Sequence, residues 1–126
     1  MPTIEVTEAN FAEIVKKPGI LLLDWWAPWC GPCRAFGPIF ERSSTKHAEI
    51  TFGKINTEQE TALASSFNIQ SIPTLMIIRD GLMLYAEPGM LPEPGLEDLI
   101  SQVEKLDMVE VRKKIEGASK AQPASA

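Results

Sequence analysis

The sequence predicts an α/β domain, a central sheet with helices packed on it, from three observations. Along the chain the apolar positions switch repeatedly between a strand-like period of two and a helix-like period, so strands and helices follow one another in turn. Residues 20–26, Ile-Leu-Leu-Leu-Asp-Trp-Trp, are apolar on both faces, as a central strand covered by helices must be. Asp80-Gly81 lies between two further apolar runs and is the strongest short hairpin signal in the chain.

The elements follow in order. Residues 3–6 alternate as a short strand, and Thr7 then stands where it can cap a helix running to about Lys17. Val6 before that cap and Phe11 within the first turns have the spacing of a hydrophobic staple. Pro18-Gly19 ends the helix, and the strand 20–26 begins directly after it. The next helix should start within Cys30-Gly31-Pro32-Cys33 and reach about His47, with Phe36, Ile39 and Phe40 inward and a kink at Pro38. Residues 50–55 read as a strand and 58–67 as a short helix with Leu63 and Phe67 inward. Residues 74–78 and 82–87 should pair antiparallel through Asp80-Gly81. From Leu96 the apolar positions Leu99, Ile100, Val103 and Leu106 recur at helical spacing, and a further amphipathic segment spans 108–115. These assignments give one domain over residues 1–106, a short helical extension over 107–116, and a small, polar, mobile tail over 117–126. There is no internal repeat.

Composition excludes several function classes. With 126 residues and 44% hydrophobic content the chain can fill one core, and a second domain is not expected. Twelve basic residues against 17 acidic ones give a net charge of -5, and no run of Lys or Arg could track a phosphate backbone, so nucleic acid is not an expected partner. The first residues lack a basic region followed by an apolar run. The longest apolar stretch is too short to cross a bilayer. A cytoplasmic protein that does not engage membranes is the expectation. Its two cysteines cannot build a disulfide framework of the secreted kind, which makes them a working pair rather than a structural one.

Both cysteines fall in Trp29-Cys30-Gly31-Pro32-Cys33, at the expected start of a helix. A thiolate is the reactive form of cysteine, and a sulfur at a helix N-terminus faces unpaired N–H groups and the positive end of the helix dipole. Lowering its pKa by one to two units would favour the thiolate by about 1.4 to 2.7 kcal/mol. Cys30 is therefore the expected attacking sulfur. Cys33, one turn further in and less exposed, is placed to resolve a mixed disulfide. Pro32 stiffens the ring that the disulfide closes. The competing reading of a C-x-x-C is half of a zinc site, but His47 is the chain's single histidine and no second cysteine pair exists. Ligand counting leaves open only a metal shared between two chains, and no metal is expected. His47 itself sits near a helix end, where it reads as a surface residue.

Asp24 is the second anomaly, a carboxyl group within an apolar strand. Without a partner its ionised form is costly to bury, its pKa should rise, and such a group beneath a dithiol can accept the proton of the resolving thiol. Spacing alone equally allows a strand-end Asp that reaches solvent or pairs with Lys54. The third feature is Ser71-Ile72-Pro73-Thr74, where a proline opens an apolar strand; alone, it reads as readily as an ordinary edge residue.

Taken together, Asp24-Trp25-Trp26-Ala27-Pro28-Trp29-Cys30-Gly31-Pro32-Cys33, Lys54, Ile72-Pro73-Thr74, Asp80-Gly81 and Gly89 resemble the thioredoxin family over residues 3–106. The resemblance implies the thioredoxin fold, a central mixed sheet flanked by helices. It implies Cys30 as nucleophile, Cys33 as resolving thiol and Asp24 as buried acid/base, with Gly31, Pro32 and Lys54 tuning the site. It also implies a cis Pro73 facing the disulfide, and an apolar docking surface made of Trp29, Gly31, Pro32, Ile72, Pro73, Gly89 and Met90. Trp25 stands where the family more often has a smaller aromatic ring, Ser71 where glycine is frequent, and Arg34 where lysine is common. None of these removes a catalytic group; Ser71 and Met90 bear on partner choice.

The function so implied is a monomeric thiol-disulfide oxidoreductase that reduces disulfides in target proteins. It needs no bound cofactor and draws electrons from NADPH through thioredoxin reductase. Two alternatives stay open on the sequence. The same site could run as an oxidant or isomerase, since the family's potential of about -270 mV and a strong oxidant's of about -120 mV differ by roughly 7 kcal/mol for two electrons. The fold could also serve as a redox-independent binding scaffold.

Overall fold

The computed structural model describes residues 3–121, with side chains over 3–116. Five strands form one sheet in the order β1-β3-β2-β4-β5: β1 (Thr3–Glu5), β2 (Ile20–Trp26), β3 (Thr51–Asn56), β4 (Thr74–Arg79) and β5 (Leu82–Pro88). β1 and β2 both run parallel to β3, while β4 lies antiparallel to β2 and to β5. The sheet is therefore mixed. β2 and β3 are parallel neighbours, which requires a crossover, and α2 (Gly31–Lys46) supplies it. The other helices are α1 (Phe11–Lys16), α3 (Thr61–Ser66), α4 (Glu93–Lys105) and α5 (Met108–Ala121).

The period of two along β2 divides the core. Leu21, Leu23 and Trp25 join Val6, Ile14, Ile55, Leu63, Met76 and Ile78 in one cluster on the side of α1 and α3. Leu22 and Asp24 face the other way, toward α2, where Phe40 meets Phe52 edge to face at 5.2 Å. Sequence period puts Asp24 on the same face as Leu22, and the packing of α2 on that face turns it toward the helix that carries the cysteines.

The hairpin forms as expected. Asp80 and Gly81 both have positive φ, 52° and 82°, the conformation a two-residue turn matched to strand twist demands. The Asp80 carboxylate also accepts the Gly19 N–H at 2.8 Å, tying the start of β2 to the turn.

Two helices start later than expected, for one physical reason. In each case an asparagine side chain closes a local turn that competes with helix. Asn10 Oδ1 accepts the Thr7 N–H at 2.7 Å and its Nδ2 donates to the Glu5 carbonyl at 3.0 Å, so Thr7 caps nothing and α1 begins at Phe11. Asn56 Oδ1 likewise accepts the Glu58 N–H at 3.0 Å, and α3 begins at Thr61 rather than 58.

Gly53, in the middle of β3, is required by a close approach. A Cβ there would stand 2.6 Å from Val6 Cγ2 and 3.0 Å from Leu23 Cδ2, both in the packed core. Gly53→Ala is expected to lower stability by about 1–3 kcal/mol through this overlap, seen as a lower urea midpoint with an unchanged slope.

The chain divides into two compact units, Met1–Leu96 and Glu97–Ala126. The first holds the whole sheet. In the second, Asp107 Oδ1 accepts the N–H groups of Val109 and Glu110 at 3.0 and 3.3 Å and so caps α5. That helix continues past residue 116, where the sequence predicts that the extension gives way to a tail, through Ala118, Lys120 and Ala121, all favourable helix formers. Residues 122–126 of the expected tail lie outside the described residues.

Candidate active site

Cys30 is the N-cap of α2. Its backbone is extended, with φ -85° and ψ 116°, and its carbonyl accepts the Arg34 N–H at 3.1 Å as the first bond of the helix. Gly31 and Pro32 occupy the first turn, where a proline costs no hydrogen bond because those N–H groups lack helical partners. The Cys33 N–H donates to Cys30 Sγ at 3.2 Å. That is the capping bond a Ser or Asp oxygen would otherwise accept, and it favours a negative charge on the Cys30 sulfur. The two sulfurs are joined as a disulfide, with the Cα atoms 5.2 Å apart.

A second loop meets this turn from far along the chain. The Ile72-Pro73 peptide bond is cis, and the Ile72 carbonyl oxygen lies 3.7 Å from Cys30 Sγ. The Gly89 N–H donates to the Pro73 carbonyl at 2.8 Å, which brings the loop after β5 against the same segment. The structure therefore assembles Cys30, Ile72, Pro73 and Gly89 in one place. Trp29 is 65% exposed and Met90 41%, so both offer apolar surface to solvent. Gly31 and Pro32 are exposed as well.

Sequence reasoning makes Cys30 the more exposed sulfur, and the structure differs. Cys30 and Cys33 are 5% and 4% exposed, packed with Ala27 and flanked by Trp26 and Ile72. What separates the two sulfurs is position. Cys30 caps the helix and accepts an N–H; Cys33 sits within the first turn.

Asp24 is completely buried, and neither carboxylate oxygen has a hydrogen-bond partner. Burial in this apolar setting pushes its pKa from 3.8 up to about 7, while the Lys54 ammonium, on the residue opposite in β3, pulls it down. Of the readings open from sequence, an Asp that reaches solvent does not hold. Lys54 instead reaches outward, its ammonium 5.0 Å from the centre of the Trp26 ring and 4.0 Å from Glu41 Oε1. Trp26, Cys33, Arg34, Gly37, Pro38, Glu41 and Lys54 line a cavity of about 310 Å³ behind the disulfide.

Glu41 is the residue sequence reasoning missed. The signal was present: Cys33, Gly37 and Glu41 recur every fourth position and share one face of α2. Gly37 lies beside Lys54 on that face, where a Cβ would make only ordinary contact, 3.8 Å, with Lys54 Nζ. What spacing did not reveal is the hydrogen bond from Thr3 Oγ1 to Glu41 Oε1, at 2.7 Å, which fixes the carboxylate from β1.

A disulfide closed across the first turn of a helix, with the backbone cap falling on one of its two sulfurs, has the build of a redox couple. It defines a thiol-disulfide oxidoreductase built on an α/β sheet. Comparison with known proteins narrows that class: the Thioredoxin family model matches residues 2–113, and the chain belongs to the thioredoxin family. It is 48% identical over 113 residues to "Putative thioredoxin 2" of Streptomyces coelicolor, covering 90% of this chain and 84% of that one. With the thioredoxin of Alicyclobacillus acidocaldarius it shares 35% identity over 102 residues, 80% of this chain and 97% of the relative. The crystal structure of a Malassezia sympodialis thioredoxin has the same fold, with a TM-score of 0.71 at 24% identity, over 79% of this chain and 89% of that one. The protein is a thioredoxin-type protein-disulfide reductase whose redox pair is the C-x-x-C couple of Cys30 and Cys33. Among the described residues no helix is long and apolar enough to cross a membrane.

Proposed function

We propose that Cys30 attacks the target disulfide, Cys33 resolves the intermediate, and Asp24 receives the proton that Cys33 gives up. The capping bond from the Cys33 N–H to Cys30 Sγ carries this reading, because it favours the thiolate on Cys30 alone. In the first step the Cys30 thiolate bonds to one sulfur of the target disulfide, and the other sulfur leaves as a thiolate. Cys33 then passes its proton to the Asp24 carboxylate, and its own thiolate attacks the Cys30 sulfur. The ring closes, the second target sulfur leaves, and the two electrons now reside in a reduced target. A carboxyl group with a pKa of about 7 exchanges a proton readily at neutral pH, which suits it to this second step.

The target enters as an extended segment over Ile72, Pro73 and Gly89, with Trp29 and Met90 as apolar flanks and Gly31 and Pro32 as floor. The Gly89 N–H is already bound to Pro73, so the Ile72 backbone is the group left to pair with the target. Electrons return from NADPH through a thioredoxin reductase. No cofactor need reside in the chain. The protein works as a cytoplasmic monomer on disulfide-containing proteins.

Capture tests the assignment. Cys33→Ser should accumulate a covalent mixed disulfide with an oxidised protein target, released by dithiothreitol, whereas Cys30→Ser should trap almost none. Equal trapping by the two variants, or the reverse order, would overturn the division of roles between the two sulfurs.

A further inference from the structure

The cavity behind Cys33 contains an arrangement that the exchange chemistry leaves unused. Lys54 is the cation placed opposite Asp24, the register pair of adjacent parallel strands on the α2 side of the sheet. Yet its ammonium does not satisfy the Asp24 carboxylate, both of whose oxygens lack a hydrogen-bond partner. It lies between the Trp26 ring at 5.0 Å and Glu41 Oε1 at 4.0 Å. Glu41 is held there by the 2.7 Å hydrogen bond from Thr3 and is 37% exposed at the side chain, so its anion keeps contact with water.

We propose that Glu41 is a positioning residue that draws Lys54 outward, away from Asp24, and thereby sets the pH at which the Asp24 carboxyl group changes its charge. The inference rests on Asp24 as proton acceptor, and extends it by naming the group that controls it. An anion beside Lys54 acts on Asp24 in two ways of the same sign. It holds the ammonium away, and it adds negative charge to the cavity; both make ionisation of Asp24 harder.

The other groups facing Asp24 and Lys54 do not replace it. β4 presents Leu75 opposite Asp24, and α2 adds Cys33 and Arg34 at the cavity wall. β1 contributes Glu5, the register partner of Lys54, but this side chain is exposed. Glu41 is the acid that lines the cavity.

The test is a pH titration of the Asp24 carboxyl carbon by NMR, followed in the oxidised and in the reduced protein. Glu41→Gln keeps the shape and the capacity to accept from Thr3 while removing the charge. It is expected to lower the Asp24 midpoint by about half a pH unit or more. Glu41→Asp, shorter but charged, should fall between it and the unaltered protein. Glu5→Gln should move the midpoint less, and in a Lys54→Met background the Glu41→Gln shift should shrink to the smaller part that the Glu41 charge exerts directly. An unchanged or raised midpoint in Glu41→Gln overturns the proposal, as does an equal shift from Glu5→Gln or a full shift without Lys54. Failure of the proton-acceptor reading would look different. Asp24→Asn would then resolve mixed disulfides with an unaltered pH profile, although Glu41→Gln still moved the Asp24 midpoint.

Discussion

Asp24→Asn should make the protein more stable than the unaltered chain by about 4 kcal/mol at pH 8 to 9, and no more stable at all below about pH 4. The sign follows from where the proton sits. In the unfolded chain Asp24 ionises near 3.8, while in the fold it holds its proton up to about 7. Between these values the native state binds a proton that the unfolded state has lost, so stability falls as pH rises, by about 1.4 kcal/mol per unit. The loss is complete once the folded carboxyl group has ionised, and above that pH the gap between variant and parent is constant. Asparagine carries no charge to desolvate, so it escapes this cost. Urea unfolding from pH 4 to 9 reads the difference directly; two parallel curves across that range would show that the burial of Asp24 carries no such penalty. The same substitution is expected to slow release of target from the mixed disulfide near neutral pH, because it removes the proton acceptor that we propose for Cys33. A gain in stability combined with a loss of rate is what a functional burial predicts, and a structural one does not.

The second large effect belongs to the sulfurs. Replacing both, Cys30→Ser with Cys33→Ser, is expected to cut reduction of a protein disulfide by at least about 10³-fold, to the rate of unassisted exchange. The fold should survive. The disulfide closes a very short loop, and its removal costs on the order of 2 kcal/mol relative to the oxidised protein. Far-UV circular dichroism and a urea midpoint check the second statement, and turnover of an oxidised protein substrate checks the first. Retained reductase activity would mean that the couple is not the site of exchange. An unfolded double variant would show instead that the disulfide carries more of the stability than so short a loop can supply.

Much of this site is legible in the chain itself. Cys30 and Cys33 advertise their chemistry by spacing and by the helix they begin, and Asp24 by standing in a strand that has no other polar residue. The hairpin at Asp80-Gly81 is equally plain, because a two-residue turn needs a backbone conformation that these residues adopt readily. Helix starts are less so. Thr7 and Glu58 lose theirs to Asn10 and Asn56, whose side chains offer the backbone a turn of comparable local appeal, and propensity alone does not rank the two.

What the sequence determined by itself is short-range: periods of two and of nearly four that mark strand and helix, a helix start that puts a sulfur at its cap, and a strand face that Asp24 shares with Leu22. Tertiary structure decided the rest. Only closure of the sheet in the order β1-β3-β2-β4-β5 brings the Ile72 carbonyl to 3.7 Å from Cys30, a separation of 42 residues in sequence. Only packing buries both sulfurs alike, leaves the Asp24 oxygens without partners, and sets Glu41 between Thr3 and Lys54. The physical reason is that backbone preference and hydrophobic period act over a few residues, whereas a carboxyl group's charge depends on every atom that displaces water from it, and those atoms come from strands and helices far apart in the chain.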